Sequence, residues 1–274
     1  MLALLLTLAV AASPPPSIKH VIVVVLENED AKRAALQPYM RELASRGAML
    51  HNYHALAHPS QPNYIGMVAG SVLNVKTDAP VVLDGRHIGN LLEEKSLNWK
   101  AYAEGYPGNC SLHEKVGVKF FGQYVQRHVP FLRFRNVRED PTRCARVVAA
   151  SELDADVRNG TLPNFALYIP NNSNNGHDTG VAKADRWLRQ RFDPLLRDPR
   201  FADGTLLVVT FDEGSDRGPN VIYTVLVGAG VRAGAVSEAR YDHYSLLRMI
   251  EEIFATGTLD RNDATASIIS DVWQ

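Results

Sequence analysis

The chain has 274 residues, 46% of them hydrophobic and 22% charged, and a formal net charge of −1. That length supports one sizeable core. The near-neutral balance, without a basic run, offers no sign of a nucleic-acid interface or of binding to an anionic membrane surface.

The apolar stretch from Met1 to Ala11 is too short to span a bilayer. Small residues and then Pro14-Pro15-Pro16 follow it, so residues 1–12 read as a secretory signal peptide. Residues 13–274 are then expected to form one domain, secreted or periplasmic, with no stable membrane span in the mature chain. His20–Leu26 is a β-branched run that reads as a strand buried on both faces, and it ends abruptly in Glu27-Asn28. Asp30–Arg46 has helical periodicity, with Gly47 as its stop. Ala48–His54 reads as a strand, Ser60–Ala69 as a short helix closed by Gly70, His87–Leu97 as a helix and Trp99–Tyr102 as a strand. Gly105–Arg138 is less regular. Pro141–Val157 reads as a helix and Asn164–Ile169 as a strand leading into a polar loop. Thr179–Leu196 is helical, Thr205–Phe211 and Val221–Val227 are buried-type strands, and Asp242–Phe254 is the last helix. Repeated strand–helix units imply a parallel or mixed sheet between helical layers.

Three of these strands lead to polar residues. Glu27-Asn28 follows the first, Asp212-Glu213-Gly214 follows Thr205–Phe211, and His177-Asp178 lies beyond Asn164–Ile169. Parallel strands bring their carboxyl ends to one edge of a sheet, where ligands of open α/β folds sit. Clustered carboxylates repel unless a cation lies between them or some are protonated, and oxygen donors suit a hard divalent ion. Ser60, in His58-Pro59-Ser60-Gln61-Pro62-Asn63-Tyr64, stands at a helix start. It is either an N-cap or a nucleophile placed at a natural phosphate site. His243 lies at the start of the last helix. His20, His51, His87, His113 and His128 fall in no such pattern. Cys110 and Cys144 fit one disulfide in an exported chain, or two buried thiols.

At these segments the sequence resembles the secreted phosphoesterases that include bacterial acid phosphatases and phosphatidylcholine-cleaving phospholipase C enzymes, within the alkaline phosphatase superfamily. The matching pieces are Val23–Asn28, His58–Tyr64, Asn175–Asp178, Val208–Gly214 and Tyr241–Leu247, in the family's order. The resemblance implies a three-layer α/β sandwich with a central, mostly parallel sheet flanked by helices. It implies hydrolysis of a small phosphate ester, with Ser60 as nucleophile and Glu27, Asn28, Asp212 and Glu213 as ligands of a divalent metal. His58, Asn63, His177 and His243 match positions that contact phosphate or a second metal. At Asn175 many relatives carry an acid, and an amide ligates metal more weakly, which favours one cation over two. The short chain favours a phosphomonoesterase over a phosphodiesterase or phospholipase C-type hydrolase.

Three rival readings remain. A metal-free serine hydrolase would need a Gly-x-Ser-x-Gly elbow, which Ser60 lacks. Sulfate-ester cleavage would need an Arg that Ser60–Tyr64 does not contain. A catalytically inactive phosphate- or metal-binding relative would keep the fold without turnover.

Overall fold

The computed structural model describes residues 18–111, 113–215 and 218–274. The expected signal peptide lies outside them. Strand β1 (His20–Leu26) opens the fold, and α1 (Ala31–Ala34) and α2 (Pro38–Arg46) follow. One helix was expected over Asp30–Arg46. Pro38 divides it, because proline lacks an N–H and its ring would strike the carbonyl one turn back. Gln37 is accordingly extended, at φ −71° and ψ 141°. The strand expected over Ala48–His54 is likewise two, β2 (Ala48–Leu50) and β3 (Tyr53–His54).

Helices α3 (Ser60–Ala69) and α4 (Ile88–Glu94) precede β4 (Trp99–Ala103). The irregular region holds a small hairpin, β5 (Lys115–Val116) and β6 (Tyr124–Val125), then two 3₁₀ turns and α5 (Arg135–Arg138). The helix expected over Pro141–Val157 is corrected to three elements: α6 (Pro141–Cys144), β7 (Val147–Ala149) and α7 (Glu152–Asn159). The β-branched pair Val147-Val148 extends the sheet edge, pairing with Ala101 and Tyr102 of β4, and this tertiary pairing overrides helical periodicity. Then come β8 (Phe165–Ile169), α8 (Val181–Arg197), α9 (Pro199–Ala202), β9 (Thr205–Phe211) and β10 (Thr224–Gly228). The chain closes with β11 (Ala235–Ser237), β12 (Tyr241–Asp242), α10 (His243–Phe254) and α11 (Asn262–Thr265).

Among the described residues, eight strands form one sheet in the order β11-β2-β10-β9-β1-β8-β4-β7. All pairs from β9 to β7 are parallel, and only β10 runs against its neighbours. Helices flank this sheet, as expected of a mostly parallel sandwich. Helix α8 turns Ala184, Trp187, Leu188, Phe192 and Leu195 inward at helical spacing. Helix α10 starts on a capping box: Asp242 accepts from the amides of Tyr244 and Ser245, and Ser245 accepts from the Asp242 amide. The register decides where chemistry can occur. β1 lies between β8 and β9, with Leu26 opposite Phe211 and Val24 opposite Tyr168. Residues that follow these three strands therefore emerge side by side.

Candidate active site

Beyond β1, Asn28 adopts φ 52°, a left-handed conformation that asparagine tolerates better than most residues. Its amide N–H donates to Asp212 Oδ1 at 3.1 Å, and its Nδ2 donates to Glu213 Oε1 at 3.1 Å. The ends of β1 and β9 are thus tied together. Helix α3 points its first residue at this knot. Pro59 is its N-cap and makes no side-chain cap, so Ser60 is not spent as one. The Ser60 hydroxyl lies 3.0 Å from Glu213 Oε1 and 3.2 Å from Glu27 Oε2, and its single proton is shared between two carboxylates. One turn along α3, the Tyr64 hydroxyl donates to Glu27 Oε1. The α3 amide of Gln61 is already taken by Asp78, at 3.0 Å.

Glu27, Asp212 and Glu213 are all buried. Burial first, and then the charge of Asp212, raises Glu27 well above the usual carboxylate range. Burial and the charge of Glu213 push Asp212 up to about 8, and burial raises Glu213 as well. Three acids crowded in this way hold full negative charge only with positive charge nearby. Two buried oxygens at the site, Asn28 Oδ1 and Asp212 Oδ2, have no hydrogen-bond partner. The donor set therefore suits a hard divalent cation in charge and chemistry, although among the described residues no three His, Cys, Asp or Glu side chains are already arranged to hold one.

The structure gives the other expected site residues distinct surroundings. His58, half-exposed, pairs through Nδ1 with Glu213 Oε2. Asn63 is wholly occupied within its own loop: Oδ1 accepts from the amides of Leu56 and Ala57, and Nδ2 donates to the carbonyls of Ala57 and Pro59. That brace holds the loop carrying His58. His243 is buried, with Nε2 2.8 Å from the Asp212 carbonyl and Nδ1 3.1 Å from the Tyr53 hydroxyl. Burial lowers its pKa to about 4, so the ring is neutral, donating to Asp212 and accepting from Tyr53. With both nitrogens engaged, it supports the Asp212 main chain from beneath.

His177 stands at the rim, its Nδ1 2.9 Å from Asp178 Oδ1. Asn175 is buried, and its carbonyl accepts from the Glu27 amide at 3.0 Å. Its side chain accepts from the His177 amide and donates to Asn172. Gly176 permits the intervening turn at φ 99°.

Two neighbours escaped the sequence reading. His128 is buried with Nε2 3.4 Å from Glu27 Oε1, and its ring stacks on Tyr64 at 5.2 Å. Burial, then the positive charge of Arg127, drives its pKa well down. Arg127 pairs with Asp78 at 3.0 Å and lowers Glu27 electrostatically. Only their place beyond the hairpin brings these residues here, and no local motif announces them. Cys110 and Cys144 form the expected disulfide, with Cα atoms 5.7 Å apart. A cavity of about 400 Å³ at the adjoining ends of β4, β7 and β8 is lined by Glu104, Tyr168 and Arg191, but not by Ser60.

A family model described as the Phosphoesterase family matches residues 31–256, well over half of the chain. The chain belongs to that family. It is 32% identical over 259 residues to a probable acid phosphatase of Kluyveromyces lactis, covering 92% of this chain and 62% of the relative. An acid phosphatase of Aspergillus fumigatus is 31% identical, with 89% and 56% covered. This family member thus spans about three-fifths of the length of those fungal relatives. A phosphatidylinositol-3-phosphatase of Mycobacterium tuberculosis is 33% identical over 271 residues, 96% of this chain and 85% of the relative. Among solved structures, an alkaline phosphatase superfamily protein from Vibrio parahaemolyticus aligns with a TM-score of 0.60 at 12% identity, over 95% of this chain and 74% of its own. Murine ectonucleotide pyrophosphatase/phosphodiesterase 5 aligns with a TM-score of 0.59 at 10% identity, over 93% and 100%. These two likenesses establish the alkaline phosphatase-like fold.

Proposed function

We propose that the chain is an exported phosphoesterase that hydrolyses small phosphomonoesters with Ser60 as nucleophile. The observation that carries this reading is the Ser60 hydroxyl, which caps no helix and instead lies between the carboxylates of Glu27 and Glu213. A hydroxyl in that setting can lose its proton as it attacks phosphorus. The bond from Ser60 Oγ to phosphorus forms as the ester oxygen leaves, giving a phosphoserine. Glu213 accepts the serine proton, and His58, against Glu213 and half-exposed, returns a proton to the leaving oxygen. Water then attacks the phosphoserine and releases phosphate.

Glu27, Asn28 through Oδ1, Asp212 and Glu213 would hold one divalent cation, which when bound offsets charge on the phosphoryl oxygens and on the serine alkoxide. His243 and Asn63 fix the backbone that carries Asp212 and His58. The Asn175 side chain is committed to its own loop, which supports one cation over two. The names borne by the relatives, acid phosphatase and phosphatidylinositol-3-phosphatase, favour monoesters over diesters. The disulfide supports export.

The test is turnover of p-nitrophenyl phosphate against bis-p-nitrophenyl phosphate, before and after chelation and metal re-addition, with metal content measured on the same sample. Monoester turnover that is lost on chelation and absent in Ser60→Ala supports the reading. Full activity in Ser60→Ala or after metal stripping overturns it.

A further inference from the structure

Large apolar side chains are exposed at scattered points on this surface, but three crowd one hairpin tip. Between β5 and β6, Val118, Phe120 and Phe121 are 65%, 54% and 83% exposed. Lys119 sits among them with its Nζ 5.1 Å from the centre of the Phe120 ring, and Lys115 is exposed at the hairpin's base. Glu114, the acid nearest in sequence, is held by Arg133 through two contacts of 2.7 Å, which leaves the tip cationic. Gly117 and Gly122 turn the backbone at φ 91° and 85°, and Phe120 itself is at φ 65°. A bulky residue avoids that conformation, so the turn holds these rings out at a backbone cost that burial does not recover. A soluble surface rarely concentrates apolar side chains in this way without a partner.

The tip belongs to the rim of the candidate site. Phe120 donates its amide to Asp178, beside His177, and the Gly122 amide donates to Ser173 of the same loop. Strand β6 runs directly into the turn that places Arg127 and His128 against Glu27. The tip is therefore tied to the loop that carries His177 and joined through β6 to the turn beside Glu27.

We propose that the 117–122 tip docks this protein on an anionic lipid bilayer, with Phe120 and Phe121 entering the headgroup boundary and Lys115 and Lys119 pairing with lipid phosphates. Aromatic side chains flanked by lysines suit that boundary, where apolar burial and surface potential act together. The near-neutral charge of the whole chain gave no hint of this, because the pattern is confined to a few residues. That the docked site then takes lipid-borne phosphomonoesters rests on the phosphoesterase reading above, whereas docking itself does not.

The experiment is co-sedimentation of the full chain with phosphatidylcholine vesicles, with and without phosphatidylserine. Binding is expected to the anionic vesicles, weakened roughly tenfold or more in Phe120→Ser/Phe121→Ser and similarly in Lys115→Ala/Lys119→Ala. Turnover of soluble p-nitrophenyl phosphate is expected to be unchanged in the phenylalanine variant. Phe121→Ser alone, at a side chain 83% exposed, leaves the fold intact and should show an intermediate loss. The proposal is overturned if the wild type sediments with neither vesicle, or if the phenylalanine variants bind as well as the wild type. It is equally overturned if the tip instead mediates a dimer of this chain, seen as a concentration-dependent mass that the same variants abolish without any vesicle binding. Vesicle binding in a chain that hydrolyses no phosphate ester would sink the phosphoesterase reading and leave docking standing.

Discussion

Tyr64 donates its hydroxyl proton to Oε1 of Glu27, and both side chains are fully buried. Because Ser60 stands one helical turn earlier on α3, serine and tyrosine meet the two oxygens of one carboxylate. Tyr64→Phe removes a donor and leaves a buried acceptor unpaired, which costs about 1–3 kcal/mol. Thermal melts should show that loss, and turnover of p-nitrophenyl phosphate should fall because Glu27 is no longer held in place. Unchanged stability and turnover would show that Glu27 does not depend on this bond.

His87 offers a test away from the site. Its Nδ1 accepts from the Gly89 amide at 3.1 Å, and its ring packs against Trp99, Phe131 and Phe134. Burial above all, with Arg143 and Arg261 adding, lowers its pKa from 6.5 to about 3. The folded chain keeps this ring neutral while the unfolded chain protonates it below about pH 6.5. The stability it supports is whole above that pH and is lost as pH falls toward about 3. At about 1.4 kcal/mol per pKa unit the effect amounts to several kcal/mol. Urea unfolding from neutral to acid pH should show a shallower decline for His87→Asn, which keeps a capping acceptor but does not titrate here.

Glu251 responds in the opposite direction. On α10 it is buried beside Asp263, with no hydrogen-bond donor to either carboxylate oxygen. Burial, then the charge of Asp263, pushes its pKa up from 4.5 to about 9. Between those values the unfolded chain releases a proton that the folded chain retains, so stability falls as pH rises. Glu251→Gln cannot ionise and still offers a donor toward Asp263. Relative to wild type it should gain on the order of 2–4 kcal/mol between mildly acid and mildly alkaline pH. Parallel pH–stability curves for the two proteins would rule this out.

The disulfide closes a segment that contains the hairpin, Arg127 and His128. Replacing Cys110 and Cys144 together by serine should cost about 3–4 kcal/mol. Limited proteolysis should then cut first between the two positions. Cleavage elsewhere, with stability unchanged, would show that packing alone secures the segment.

What could be read in advance were the parts whose causes are local. The runs of β1 and β9, the Gly70 stop of α3 and the Asp242 start of α10 are statements about neighbours in sequence, and each stands where its pattern put it. The adjacency of Glu27 and Asp212 followed from one added rule about strand ends. What was hidden depends on the chain returning from a distance. Strand β7 exists because β4 offers it an edge, and β10 turns against β9 for reasons no window of residues records. His128 reaches Glu27 from 101 positions away along the sequence, out of an irregular stretch with no periodicity to follow.

Every residue of α3 is buried. Ser60 is therefore mounted on a post sunk into the interior, and the ten residues of that post face packing constraints on all sides. A lineage adapting this protein to a new leaving group has little freedom there. Its workable alphabet is the exposed part of the rim, within residues 117–121 and 177–180, where side chains stand clear of the post. A library meant to redirect specificity belongs in those two segments, and one built on α3 would mostly yield unfolded chains.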